Sequence, residues 1–246
     1  MEENIKKIVQ KLKKSKYCVA FTGAGISTES GIPDFRGRKG IYNYVSEDVF
    51  SIEMFYKQPE MFYRFAREWL GEIITKTPNK AHIMLAKLEK YGILKSVITQ
   101  NIDGLHQKAG SKVVYEIHGH IRTAHCLKCG KEFDFQYVKE ELVDKNNIPV
   151  KCKFCGGIIK PDVVFFGEPL PEDLSKAIEE VQKADLMFIL GTSLTVYPAA
   201  MLPEYCSGEL IIINKDPTPL DSHASVVLHK PLGECFELID RFFNSG

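Results

Sequence analysis

Tyr17-Cys18-Val19-Ala20-Phe21-Thr22, followed at once by Gly23-Ala24-Gly25-Ile26-Ser27-Thr28, is the stretch on which the fold turns. The first six residues are nearly continuously apolar, as in a strand covered on both faces, and the glycine pair makes a tight turn after it. Similar runs recur at Ile93–Thr99, Val113–Ile117, Leu186–Leu190 and Leu210–Ile213, with Val226–Leu228 as a further candidate. Helical stripes lie between several of them. Phe62, Phe65, Ala66, Trp69, Leu70 and Ile73 fall on one helix face, as do Ala81, Met84, Leu85 and Leu88, and again Leu174, Ala177, Ile178 and Val181. Thr77-Pro78 is the expected cap and first residue of the second helix, and Gly92 its stop. Strands alternating with helices predict an α/β fold: a Rossmann-like, mainly parallel sheet with helices on both faces.

The rest of the chain bounds the reading. At 246 residues it is one large domain, or one domain plus a small module. Hydrophobic residues make up 44% and charged residues 26%, which excludes wholesale disorder. No apolar run approaches ~18 residues, so no membrane span is expected. Lys+Arg and Asp+Glu are both 32, and the formal net charge of +0 argues against bulk electrostatic binding of nucleic acid. Met1 to Lys16 carries Ile5, Ile8, Val9 and Leu12 at helical spacing, which predicts a surface helix docked on the core rather than a secretion signal. Two stretches break the alternation. Gly31–Ser51 has weak periodicity and reads as a long loop, of a length that is usually functional or disordered, and His120–Lys160 interrupts the sheet.

Ligands of open parallel sheets bind beyond the carboxyl ends of the strands. Here Thr22–Thr28, Thr99–His106, His118-Gly119, Gly191-Thr192-Ser193 and Asn214-Lys215-Asp216 follow five apolar runs, and all are polar or glycine-rich. Together they suggest a polar crevice suited to an elongated, phosphate-bearing ligand such as a dinucleotide. Gly23-Ala24-Gly25 permits close approach to a pyrophosphate, although the third glycine of the usual fingerprint is replaced by Thr28. His118 is a candidate general base, because histidine titrates near neutrality. Asn101 and Asp103, two apart after a strand, can address one face or simply form an Asx turn. The other histidines, His82 and His106 among them, are expected to be surface residues or satisfied hydrogen-bonders.

Cys126-Leu127-Lys128-Cys129 and Cys152-Lys153-Phe154-Cys155 have the pair spacing of a four-cysteine zinc site. Four thiolates close the tetrahedron and leave no position for water, so the expected zinc is structural. Cysteine pairs of this kind point to a reducing compartment, and a cytoplasmic protein is expected.

Gly23–Ser27, Gly31-Ile32-Pro33-Asp34-Phe35-Arg36, Thr99–Asp103, His118-Gly119, the four cysteines, Phe166-Gly167-Glu168, Gly191–Ser193 and Val196–Ala199 occur in this order. The set resembles the sirtuin family of NAD-dependent protein-lysine deacylases over residues from about 17 to 232, in a compact form like that of bacterial or archaeal members. The resemblance implies a Rossmann-like NAD-binding domain from 1–30, 93–119 and 161–246, a cofactor-binding loop at 31–51, a helical insertion at 52–92 and a zinc-binding module at 120–160. It places NAD and the acylated lysine in the cleft between a large and a small domain.

Roles carry over residue by residue. Ala24, Gly25 and Thr28 would line the pyrophosphate and ribose, Phe35 and Arg36 would cover the cofactor, and Gln100 and Asn101 would contact the nicotinamide ribose. Ile102 and Asp103 would hold the carboxamide. Gly191, Thr192, Ser193, Asn214, Lys215 and, by a looser match, Leu232 would bind the adenosine half. Val163 and Phe165 would line the acyl-lysine tunnel, and that segment, through Phe166 and Gly167, would with Leu194 clamp the peptide as an added strand. His118 would be the base and Asn101 a second catalytic residue. The implied reaction removes acetyl from lysine, consumes NAD and releases nicotinamide and O-acetyl-ADP-ribose.

The family's desuccinylating branch carries Tyr-x-x-Arg in the helical insertion. Here the matching positions are Tyr63 and Ala66, so neutral acyl groups are expected. The implied partners are acetylated proteins or peptides, without direct nucleic-acid or membrane binding, and the expected state is a monomer. Rival readings are an NAD-linked oxidoreductase, a protein ADP-ribosyltransferase and a non-catalytic NAD sensor.

Overall fold

The computed structural model describes residues 1–244; the last two residues of the expected 161–246 segment, Ser245 and Gly246, lie outside the described residues. The chain opens with helix α1 (Glu2–Lys14) and strand β1 (Cys18–Thr22), then α2 (Ile52–Lys57), α3 (Pro59–Ile73), α4 (Lys80–Lys90), β2 (Leu94–Thr99), α5 (Leu105–Ala109) and β3 (Val114–Glu116). It continues through β4 (Gly119–Cys126), β5 (Glu132–Asp134), α6 (Phe135–Lys139) and β6 (Ile159–Val163). It closes with α7 (Asp173–Lys183), β7 (Leu186–Leu190), β8 (Glu209–Ile213), β9 (Val226–Leu228) and α8 (Leu232–Asn244). Among the described residues, no helix is long and apolar enough to cross a membrane.

The chain divides into two compact units. The first comprises Met1–Asp34, Thr77–Ile117 and Glu172–Gly246; the second comprises Phe35–Lys76 and His118–Pro171. This differs from the expected division. The stretch from Thr77 to Gly92 lies with the first unit, because Ala81, Met84, Leu85 and Leu88 of α4 bury into the same cluster as Cys18 and Ala20 of β1. Residues 161–171 lie with the second, because β6 pairs with β4.

The first unit holds a six-stranded sheet of order β3-β2-β1-β7-β8-β9, and every pair of neighbours is parallel. Strand side chains alternate between faces. Cys18 and Ala20, Phe188 and Leu190, and Ile211 and Ile213 enter one core with α1, α4 and α8. Val19 and Phe21, Met187 and Ile189, and Leu210 and Ile212 enter the other with Ala177 and Val181 of α7. Both faces are covered, which is why the strands read as continuous apolar runs. Helix α1 buries Ile5, Ile8, Val9 and Leu12 against this core, as its spacing predicts. Helix α4 starts later than the sequence suggests: its cap is Asn79, whose Oδ1 accepts from the Ala81 amide at 3.0 Å, so Thr77-Pro78 precedes the helix.

The second unit contains the antiparallel sheet β5-β4-β6 and the helices α2 and α3. The expected loop Gly31–Ser51 is more structured than its weak periodicity implies. It carries 3-10 turns at Ile41–Asn43 and Glu47–Phe50, and Phe35, Tyr42 and Phe50 pack ring to ring at 5.3–6.0 Å.

Candidate active site

In the first unit the strand order reverses between β1 and β7, the point at which open α/β sheets bind ligands. Parallel pairing brings the ends of β1, β2, β7 and β8 to one sheet edge. The Gly23 amide donates to the Leu190 carbonyl at 3.1 Å and the Gly25 amide to the Gly191 carbonyl at 2.8 Å, tying the first turn to the end of β7. A Cβ on Gly25 would lie 2.8 Å from the Gly191 Cα, so the turn needs glycine for close backbone approach. The turn leads into a 3-10 helix, Ala24–Ser30, in place of the α-helix of the usual fingerprint.

The second strand end supplies a buried polar cluster. The Asn101 amide nitrogen donates to the Gly23 carbonyl at 3.1 Å and to Ser27 Oγ at 3.2 Å; Ser27 in turn donates to Asp103 Oδ2 at 2.6 Å. The Leu105 backbone amide donates to Asp103 Oδ1 at 2.9 Å. Asn101 and Asp103 are each only 8% exposed. Burial raises the Asp103 carboxyl above its ordinary pKa, although the Ser27 and Leu105 hydrogen bonds pull the other way. The simple Asx turn accounts for the Leu105 contact alone; the rest of the network is tertiary.

Gln100 donates to Thr192 Oγ1 at 3.0 Å, so the predicted residues at the ends of β2 and β7 meet directly. Thr192 is buried, Ser193 half-buried, and the Ser193 and Thr195 hydroxyls are 2.8 Å apart. Beyond β8, the Asn214 side chain donates to the Asp216 carbonyl at 2.8 Å, and Lys215 is exposed. Ala24, Gly25, Thr28 and Ile102 are half-buried along the same edge. The Leu232 side chain packs in the core at the start of α8, and the Leu194 side chain is buried at a backbone φ of 55°.

Sequence reading missed the burial of His82 and His106. Their rings lie 4.8 Å apart, and His106 Nε2 is 3.0 Å from Thr22 Oγ1. Burial lowers the His82 pKa to about 4 and that of His106 well below its usual value. It also missed Glu29, whose carboxylate accepts from the Gly233 amide at 2.9 Å.

In the second unit, His118 is half-buried and its carbonyl accepts from the Val164 amide at 2.9 Å. Gly119 has φ +74°, and a Cβ there would sit 2.0 Å from the Asp162 carbonyl oxygen, so only glycine lets β4 approach β6 beside His118. Phe165 is buried against Phe55 and Phe62, whereas Phe166 is 41% exposed; Val163 is half-buried. Phe166 pairs through its backbone with Phe50 and Ile52, and Gly167 comes next at φ +92°. Arg36 pairs with Glu47 at 3.3 Å and lies over the Tyr42 ring.

Cys126, Cys129, Cys152 and Cys155 converge at the end of β4, with all four sulfurs within 4.8 Å of one another. The Cys126–Cys155 and Cys129–Cys152 sulfurs are 3.4 and 3.8 Å apart. Four Zn–S bonds of ~2.3 Å in a tetrahedron put sulfurs roughly 3.8 Å apart, so the cluster fits zinc. The amides of Gly130 and Gly156 donate to the Cys126 and Cys152 carbonyls at 2.9 Å and form the two knuckles.

Comparison with known proteins finds relatives along nearly the whole chain. Residues 23–198 match the model of the Sir2 family. An NAD-dependent protein deacetylase of Sulfurisphaera tokodaii is 46% identical over 242 residues, covering 97% of this chain and 96% of the relative. One of Thermotoga maritima is 47% identical over 226 residues, covering 90% and 91%. A solved Sir2 structure with a p53 peptide and NAD+ superposes with a TM-score of 0.92 at 42% identity, covering 98% of this chain and 99% of that one. A second, with a deacetylated p53 peptide and 3′-O-acetyl ADP ribose, gives 0.93 at 43% identity, covering 97% and 98%. The glycine turn, the buried Asn101 cluster and the four-cysteine knuckles all lie within the matched span, and the chain belongs to the Sir2 family.

Proposed function

We propose that this chain catalyses NAD-dependent deacetylation of acetyl-lysine in proteins and peptides, releasing nicotinamide and O-acetyl-ADP-ribose. The observation that carries the reading is the buried Ser27–Asn101–Asp103 cluster at the sheet's switch point, in a chain 46–48% identical to NAD-dependent protein deacetylases.

The first unit binds NAD. Ala24, Gly25 and Thr28 take the pyrophosphate region and Gln100 and Asn101 the nicotinamide ribose. Ile102 and Asp103 take the carboxamide; Gly191, Thr192, Ser193, Asn214 and Lys215 take the adenosine half. Leu232, whose side chain packs in the core, is the adenine contact assigned by the loosest match. NAD supplies a ribose carbon from which nicotinamide can leave when the acyl oxygen attacks. His118 is the general base that removes a proton from a ribose hydroxyl, a role suited to an imidazole near neutral pH. Phe35 and Arg36 cover the cofactor and exclude water. Val163, Phe165, Phe166 and Gly167 receive the acyl-lysine, with Leu194 supporting the peptide through its backbone. Peptide binding of this kind uses main-chain pairing and tolerates many sequences. Zinc takes no part in the chemistry, because four sulfurs fill its coordination.

The acyl preference is for neutral groups. Tyr63 and Ala66 are buried in α3, the Tyr63 hydroxyl donates to the Ile159 carbonyl, and Arg67 instead meets Asn146. A monomer in the cytoplasm, acting on acetylated proteins, completes the proposal; the four-cysteine cluster, which needs reduced thiols, supports a reducing compartment.

An acetyl-lysine peptide incubated with and without NAD and followed by mass spectrometry tests the reading. NAD-dependent loss of acetyl, with nicotinamide and O-acetyl-ADP-ribose appearing, is expected. NADH formation, or ADP-ribose attached to protein without deacetylation, would replace it with one of the rival chemistries. His118→Ala should lower turnover by about 10²–10⁴-fold with the fold and bound zinc intact; near-wild-type turnover would remove His118 from its role.

A further inference from the structure

Glu168 closes the Phe166-Gly167-Glu168 motif, yet the proposed chemistry gives it no task. Its partner is a buried lysine. Lys160 Nζ lies 2.8 Å from Glu168 Oε2, and the side chains are only 10% and 23% exposed. The ammonium also donates to the Val163 carbonyl at 2.8 Å and the Pro161 carbonyl at 3.2 Å, so its three protons have three acceptors. It lies 4.5 Å from the centre of the Phe165 ring. Glu168 Oε2 accepts a second bond, from the Phe165 amide at 2.8 Å, and the Glu168 amide donates back to the Phe165 carbonyl at 3.0 Å.

The two residues therefore bracket the segment Val163–Gly167. Backbone groups of an extended segment point alternately to either side. Val164 and Phe166 donate to His118 and Phe50. The Val163 carbonyl and the Phe165 amide are held instead by Lys160 and Glu168. An ion pair with one member buried and the other half-buried is a poor source of net stability, because desolvation offsets much of the Coulomb attraction. Its effect here is geometric: it fixes the turn after Phe165 and satisfies two groups that an added strand could otherwise pair with out of register.

We propose that Lys160 and Glu168 are positioning residues that set the register and affinity of the acyl-lysine peptide by clamping the Val163–Gly167 segment. This rests on the deacetylase reading and on the peptide role given there to the same segment. The pair has no contact with cofactor or reacting atoms in the proposed mechanism, so its loss should be felt in peptide binding and spare NAD binding.

The test is steady-state deacetylation with an acetyl-lysine peptide and NAD varied separately, alongside fluorescence anisotropy of the labelled peptide and thermal melting. Lys160→Met should raise the peptide KM and Kd by about tenfold, as expected for losing hydrogen bonds to a charged group. The NAD KM should stay within about twofold of wild type. Removing Lys160 leaves the half-buried Glu168 carboxylate without its cation, so the single variant is also expected to melt lower. The double variant Lys160→Met/Glu168→Gln removes both charges. It should recover most of the melting temperature while keeping the raised peptide KM, a separation that a purely structural pair would not show. Wild-type peptide KM in a folded Lys160→Met or double variant would overturn the proposal, as would a KM that simply tracks melting temperature. A wild-type protein that neither binds nor deacetylates the peptide would overturn the deacetylase reading and this inference together.

Discussion

The binding role proposed for Asp103 comes at a cost to stability. Burial raises its pKa, with the Ser27 and Leu105 hydrogen bonds opposing. A raised carboxyl binds its proton more tightly folded than unfolded, so its contribution falls as pH rises through the window above the ordinary 3.8. Asp103→Asn keeps the shape and removes that charge. The variant should be at least as stable as wild type at pH 7 by urea denaturation, with the advantage disappearing below pH ~4, while turnover is lost. Lower stability at pH 7 would mean that the Ser27 and Leu105 bonds to the carboxylate outweigh its desolvation. The Asn101–Asp103 spacing was visible in the chain, but Ser27's place between them was not, since Ser27 and Asn101 are 74 residues apart.

Among the elements, α4 shows most clearly where local pattern stops. Its apolar stripe was legible from the spacing of Ala81, Met84, Leu85 and Leu88, but its start and its allegiance were not. Asn79 caps it and also donates to the Ile26 carbonyl at 2.7 Å and to Ser30 at 3.0 Å, tying the helix to the segment after the glycine turn. Asn79→Ala should cost about 1–2 kcal/mol in urea unfolding, the upper range for a cap, and should raise the KM for NAD by loosening that segment. A loss of stability with unchanged NAD affinity would confine Asn79 to capping. Local propensity favours Thr77-Pro78 equally well as a start; the tertiary contacts of Asn79 decide between them.

For the molecule as a whole, two conditions should be damaging. Buried His82 and His106 stay neutral in the native state, with His82 lowered to about 4 from an ordinary 6.5. Below pH 6.5 the unfolded chain takes up protons that the folded chain refuses, so stability should fall as pH drops from 6.5 towards 4. Melting temperatures across that range measure it, and His106→Gln should flatten the slope. Chelation should act on the second unit. Metal analysis is expected to give about one zinc per chain. After stripping, hydrogen exchange should accelerate from His118 to Pro171, while amides of the six-stranded sheet remain protected. Uniform loss of protection would show that the two units unfold together.

Apolar runs, helical spacing and cysteine pairs are local patterns, and from them the sequence by itself determined an α/β fold with a parallel sheet, polar strand ends and a four-thiolate metal centre. These features survive because each depends on a short stretch of chain and a simple periodicity. The tertiary structure alone decided which segments share a core, which histidines lose water, where the Leu232 and Leu194 side chains point, and that Lys160 reaches Glu168. Those outcomes depend on long-range packing and on the desolvation it imposes. No local pattern records them, because burial is a property of what the rest of the chain brings alongside.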